Sequence, residues 1–272
     1  YVLYYAWDIN NHGQIAGVAW IPDGGEVTAR PFRYTPAFTF EGVEFSPVLE
    51  NLGSPGSGRT EPRGINDFGD VAGEWLNGAE APRGFFYSDR DFDGDEKPDG
   101  MRDIGTIEDA ESVLPLSLNN LGQVTGRDYV AGRGDRAFLY DPRNGGMTHL
   151  EDGASFGISG NDINDDGIVA GRGMATYAVN KRKTATIAGP MRYNCGTQEF
   201  EGLGWPFDTE GRQQAVYSIN ADGDCVGGYD SPFTYPNAWL FMDGHGYLNL
   251  DDLAGEVLGV TGSAGYDSLT IN

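Results

Sequence analysis

The chain has 272 residues, enough to bury a substantial core as one large all-β domain or two small ones. Its 42 glycines and 12% aromatic content favour many short strands joined by tight turns. A formal charge of −23 repels nucleic-acid phosphates and excludes DNA or RNA as a partner, and no apolar run approaches the roughly 20 residues of a membrane-spanning helix. The chain opens on Tyr1 rather than Met and shows no signal peptide, so it reads as processed, trimmed or a fragment.

In chain order, a nine-residue motif organises everything. Ile9-Asn10-Asn11-His12-Gly13-Gln14-Ile15-Ala16-Gly17 is the first copy. It returns as INDFGDVAG at 65–73, LNNLGQVTG at 118–126, INDDGIVAG at 163–171 and INADGDCVG at 219–227. The asparagines at 10, 66, 119, 164 and 220 are spaced by 56, 53, 45 and 56 residues. A second block follows each copy: RPFRY at 30–34, RGFFY at 83–87, RAFLY at 136–140, then the weaker GPMRY at 189–193 and NAWLF at 237–241. A third block closes each unit: LENLG at 49–53, MRDIG at 101–105, MTHL at 147–150, FEGL at 200–203 and YLNL at 247–250.

The spacing dictates a β-hairpin. The apolar residue before Asn ends a strand, and the Asn side chain accepts a bond from the N–H two residues on. The first glycine takes the positive φ of a hairpin turn, and the final glycine permits close backbone approach or a bulge. The second and third blocks supply a third and a fourth strand. Four strands in about 53 residues is the size of a propeller blade. The predicted fold is therefore all-β: a single β-propeller domain over 1–272, of five blades of four antiparallel strands. Repeats start near 1, 60, 112, 156 and 213. Residues 266–272 are either a closing strand that latches onto the first blade or the start of a further repeat.

The order I-N-x-x-G-x-V-x-G, then R-A-F-L-Y, then M-x-D-L-G resembles the HAF repeat of bacterial extracellular repeat proteins. SLNNLGQVTG, RAFLY and MTHL in the third unit match it best, with Arg30, Arg83 and Arg136 where the family typically has His. The resemblance covers essentially the whole chain. It implies an extracellular, cell-surface or periplasmic bacterial protein, and it implies no catalytic activity.

One insert stands outside the repeat: SDRDFDGDEKPDG at 88–100. Asp91, Asp93, Asp95 and Asp99 occupy positions 1, 3, 5 and 9 of a carboxylate array whose hard oxygens suit Ca²⁺. The loop resembles the calcium loops of thrombospondin type 3 repeats. Position six, normally glycine, is Glu96. A frame beginning at Asp89 restores Gly94 there but puts Lys97 at position nine, and both frames stay open.

Other signals are weak. Gly153-Ala154-Ser155-Phe156-Gly157 fits a nucleophile elbow, yet it precedes a strand where the elbow needs a helix. Arg133-Gly134-Asp135 is a bare triplet, and His12, His149 and His245 form no catalytic or zinc spacing. A bridge between Cys195 and Cys225 is plausible, as are two separate buried thiols. Lys181-Arg182-Lys183 is read as a solvated hairpin tip. Irregular stretches are expected at 20–30, 88–100, 172–190 and 228–237, with Tyr177, Tyr229, Phe233 and Tyr235 as exposed aromatics. The expected function is non-catalytic: a binding or assembly scaffold for a protein partner or larger assembly, with a structural Ca²⁺. The alternatives are a lectin-like propeller that binds glycans or, further off, a calcium-dependent glycoside hydrolase.

Overall fold

The computed structural model describes residues 3–23, 26–56, 58–76, 81–107, 110–153, 155–180, 183–204, 214–229 and 238–250. Every named element among them is a strand. Sheet one is β1 (Leu3–Ile9), β2 (Ile15–Asp23), β3 (Glu26–Thr35) and β6 (Val48–Asn51), with the hairpin β4 (Phe38–Phe40) and β5 (Val43–Phe45) inserted as a separate two-stranded sheet. Sheet two is β7 (Thr60–Ile65), β8 (Val71–Trp75), β9 (Arg83–Ser88) and β10 (Gly100–Asp103). Sheet three is β11 (Ser112–Leu118), β12 (Val124–Val130), β13 (Gly134–Asp141) and β14 (Gly146–His149). Sheet four is β15 (Phe156–Ile163), β16 (Ile168–Asn180), β17 (Lys183–Asn194) and β18 (Glu199–Gly202). Sheet five is β19 (Gln214–Ile219), β20 (Cys225–Tyr229), β21 (Ala238–Met242) and β22 (Gly246–Asn249). All five are antiparallel meanders, one per repeat. The chain divides into two compact units, Tyr1–Thr148 and His149–Asn272.

The repeat motif folds as its chemistry requires. Each motif asparagine caps its own turn: Asn66 Oδ1 accepts the N–H groups of Phe68 and Asp70, each at 3.0 Å. Gly69 sits at φ +79°, the left-handed region that glycine enters without strain. Register shifts leave an extra residue in each first strand, at Trp7, Arg63, Leu116, Asn161 and Tyr217, and β15 carries a second at Ile158. The closing glycine of the motif lies across from this bulge. A Cβ on Gly73 would stand 2.1 Å from the Glu61 carbonyl oxygen, so the close approach forbids any side chain there.

Pleat alternation then gives each sheet two distinct apolar faces. In sheet two, Ile65, Val71, Tyr87 and Met101 line up across the four strands. With Phe85 they meet Ala16 and Leu52 of sheet one. In sheet three, Leu118, Val124, Phe138, Tyr140 and Met147 meet Ala72 and Ile104 of sheet two. In sheet five, Ile219, Cys225, Trp239, Phe241 and Tyr247 meet Ala170 and Leu203 of sheet four. An incoming row of four large residues thus receives an outgoing small residue and the Leu or Ile that ends the third block. Each fully buried large side chain in these seams contributes about 1.5–3 kcal/mol.

Sheet one differs. Its incoming row is Ile9, Ile15, Tyr34 and Leu49. Ile9 is 61% exposed and Leu49 56%, whereas the equivalents Ile65, Leu118, Ile163 and Ile219 are 5–8% exposed. The predicted closing strand or further repeat at 266–272 lies outside the described residues.

Two stretches expected to be irregular are strand. Residues 20–23 and 26–30 lie in the paired strands β2 and β3, and 172–180 and 183–190 in the paired strands β16 and β17, with Tyr177 paired to Ala185. The run Ala175-Thr176-Tyr177-Ala178-Val179 has the β-branched and aromatic character of a strand, and the pairing extends the hairpin beyond the length of the repeat. Tyr229 ends β20. Lys181, Arg182, Phe233 and Tyr235 lie outside the described residues.

Candidate metal centre

The 88–100 loop joins β9 to β10. It brings Asp91, Asp93 and Asp99 together, with one carboxylate oxygen of each within 4.8 Å of the others. Asp95 does not join them. Its carboxylate accepts the Lys97 N–H at 2.9 Å and pairs with the Lys97 ammonium at 3.6 Å. Asp89 is also elsewhere: Arg33 holds it at 2.6 Å and the Tyr87 hydroxyl at 2.8 Å, so the frame beginning at Asp89 loses its first ligand. The frame beginning at Asp91 needs a left-handed residue at position six, and Glu96 adopts φ +66° there.

The triad has an inner wall and an open side. The Asp99 side chain is 1% exposed and ion-paired with Arg102, and its Oδ2 accepts the Phe92 N–H at 3.3 Å. Asp91 and Asp93 face solvent. The backbone N–H of Gly94, and less so that of Glu96, holds the Asp91 carboxyl below the ordinary aspartate range. Three anionic oxygens at this spacing, with one side open to water, suit a hard divalent cation.

The loop is anchored to two neighbouring turns by groups that sequence reading missed. The Arg90 guanidinium lies between the rings of Phe68 and Phe92, 4.3 and 4.5 Å from their centroids. It is ion-paired with Asp70, which is fully buried, and donates to the Asn120 carbonyl at 3.1 Å. Phe92 meets Phe86 edge-on at 5.8 Å. The only sequence signal was Asp70 itself, an acid where two other copies carry Gln14 and Gln123.

Similar polar clamps cross the seams. Asn10, Asn66 and Asn164 each donate from Nδ2 to the carbonyl of the next motif asparagine, Asn66, Asn119 and Asn220, at 2.8, 2.9 and 3.1 Å. Arg33 donates to the Gly69 carbonyl at 2.8 Å and binds Glu50 and Asp89. Arg192 repeats this with the Gly223 carbonyl at 2.9 Å, Glu201 and Asp243. Burial works against both charges. Hydrogen bonds that Arg33 donates to Asp89 and Glu50, and Arg192 to Asp243 and Glu201, overcome it and raise both guanidinium pKa values. Burial, with the bond to Asp89, pushes the Tyr87 hydroxyl up to about 12. A cavity of about 420 Å³ opens beside Arg192, lined also by Asn164, Asp166, Glu199, Glu201 and Asp243.

The remaining motifs stay apart. Neither cysteine is in a disulfide. Cys225 fills the Val position of the incoming row of sheet five and is buried among Val216, Ile219 and Trp239, so its side chain belongs to the seam core. The backbone N–H of Cys195 is instead spent on the Gly167 carbonyl at 3.1 Å. Phe156 opens β15 directly after Ser155, so the serine precedes a strand and not a helix. His12 and His245 lie in turns and His149 ends β14, as expected. No helix among the described residues is long and apolar enough to cross a membrane.

No family model and no curated protein matches the chain. Solved structures do. A puromycin-hydrolyzing peptidase from Mycobacterium tuberculosis superimposes with a TM-score of 0.54 at 12% identity, covering 92% of this chain and 38% of that one. TolB from Acinetobacter baumannii gives 0.47 at 13% identity, covering 87% and 52%. The chain therefore spans about half the length, or less, of these matched proteins. At such identity the likeness to the peptidase is one of fold alone, and the fold is that of β-propeller sheets.

Proposed function

We propose that this chain is a non-catalytic β-propeller-type scaffold, each four-stranded sheet a blade, that assembles with protein and carries one structural Ca²⁺ on Asp91, Asp93 and Asp99. The resemblance of its repeats to the HAF family supports an extracellular, cell-surface or periplasmic bacterial setting. The observation that carries the reading is the distribution of exposed apolar groups. Among the described residues, eleven of the sixteen large exposed hydrophobic ones fall between Tyr4 and Leu49. Exposed apolar side chains gathered in one sheet and its inserted hairpin support a macromolecular contact surface there.

A lectin-like reading draws on a different observation, the recurrence of Arg–Glu–Asp–Gly clamps in two seams and the polar cavity beside one of them. Calorimetric calcium titration and a glycan array, with and without chelator, test both. The scaffold reading expects one calcium site, weakened roughly tenfold or more in Asp93→Asn, and no glycan signal. A glycan signal abolished by Arg192→Ala would replace it with the lectin.

A further inference from the structure

The cavity beside Arg192 lies wholly within the second compact unit, between sheets four and five, at the end where the turns 164–168 and 220–224 lie. The Arg192 side chain is nine-tenths buried and committed to its clamp with Glu201, Asp243 and the Gly223 carbonyl. Three further carboxylates line the same cavity: Asp166, Glu199 and Asp222. Glu199 accepts the Thr197 hydroxyl at 3.0 Å. Asp166 and Asp222 are exposed, and their carboxylates have no polar partner among the described residues.

The clamp does not explain these three acids. Arg33 makes the same clamp between sheets one and two with Glu50, Asp89 and the Gly69 carbonyl. Motif and ladder register put His12, Val48 and Phe68 there at the places of Asp166, Glu199 and Asp222. Gln14, which ties Asn10 to Thr35 at 2.8 and 3.1 Å in the first clamp, is Ile168 in the second. The second clamp therefore carries a negative wall that the fold does not require. Five carboxylates around one guanidinium repel one another, and a bound cation relieves that repulsion.

The cavity measures about 420 Å³, within the range of about 300–1,000 Å³ of small-ligand sites. Its acids do not gather around a single metal ion. Among the described residues only Asp91, Asp93 and Asp99 bring three such ligand atoms within 4.8 Å of one another. Dispersed carboxylates instead match a cation whose N–H donors are spread over a planar head, as in arginine.

We propose that this cavity receives an arginine side chain from a basic segment of a protein partner. The proposal rests on the scaffold reading and deepens it by naming the partner's chemistry. Glu201 and Asp243 already neutralise Arg192, so Asp166 and Asp222 pair with the incoming guanidinium.

The test is fluorescence anisotropy of a labelled peptide carrying two arginines, titrated with the full chain in physiological salt. Wild type should bind one peptide per chain with saturation. The double variant Asp166→Asn/Asp222→Asn should weaken binding roughly tenfold or more. The double variant Glu111→Gln/Glu151→Gln removes the same charge at exposed sites outside the cavity and should bind within about twofold of wild type. Asp166→Asn alone replaces the first double variant if that one unfolds by circular dichroism. Equal weakening by both double variants, or no saturable binding, overturns the proposal. Unlabelled spermidine that binds as tightly as the peptide would assign the cavity to a free polyamine and overturn the protein partner. The scaffold reading is tested separately by calcium and glycan binding, so either can fail alone.

Discussion

At the scale of single residues, the motif asparagine does more than its turn suggests. Asn66 is buried; it accepts two backbone N–H groups and donates to Asp70 Oδ2 at 2.7 Å and to the Asn119 carbonyl at 2.9 Å. Asn66→Ala leaves several buried groups unpaired at about 1–3 kcal/mol each, so a loss of about 3 kcal/mol is expected in urea unfolding. Asn220 has the same sequence context but is exposed, and Asn220→Ala should cost about 1 kcal/mol or less. Equal losses would mean that the seam bond contributes nothing. The turn role was legible because it is local; the seam bond was not, because its acceptor lies 53 residues away. Cys225 offers a second check. Burial pushes its thiol up to about 12, so it holds little thiolate at pH 8. Ellman's reagent should label one thiol per native chain quickly, Cys195, and Cys225 only after denaturant is added. A thiol raised in the folded state favours folding below its unfolded pKa and ceases to do so as pH climbs toward the folded value.

At the scale of elements, the 88–100 loop is held at its base and open at its tip. Arg90 and Phe92 fix the base against two turns, while Glu96 and Lys97 are exposed. Cation binding at Asp91, Asp93 and Asp99 ties the exposed tip to the anchored end. Endoproteinase Glu-C should therefore cut after Glu96 several-fold more slowly in calcium than in chelator, and the difference should vanish in Asp93→Asn. Unchanged cleavage would argue against an ion at this loop. The strands were read correctly wherever apolar alternation met a turn signal, as at Ile65–Val71. Two kinds of element escaped. The β16 and β17 strands read as loop in the sequence because their length is set by cross-strand pairing, which no local signal reports. The β4–β5 insert had no counterpart in other repeats, so periodicity was blind to it. Of the site, the carboxylate spacing was visible, but the removal of Asp95 and Asp89 was not. Both are captured by cations, Lys97 beside one and Arg33 from another strand at the other.

At the scale of the whole molecule, the charge is distributed in two ways that salt treats differently. The arginines at 33, 90 and 192 sit in seams, each neutralising carboxylates with its head largely removed from water. Such partly buried pairs are weakly screened. Most of the 41 acidic residues, against 18 basic ones, have no such partner in number, and their mutual repulsion acts through solvent over a Debye length. That length falls from about 30 Å at 0.01 M to about 8 Å at 0.15 M salt. Sodium chloride should therefore raise the melting temperature by a few degrees across this range, because the screened term is repulsive. Micromolar calcium in constant salt should add a further rise that Asp93→Asn abolishes, since a site ion acts by binding and not by screening. A melting temperature that falls on adding salt would mean that the seam clamps, and not the surface repulsion, set the electrostatic balance of the fold.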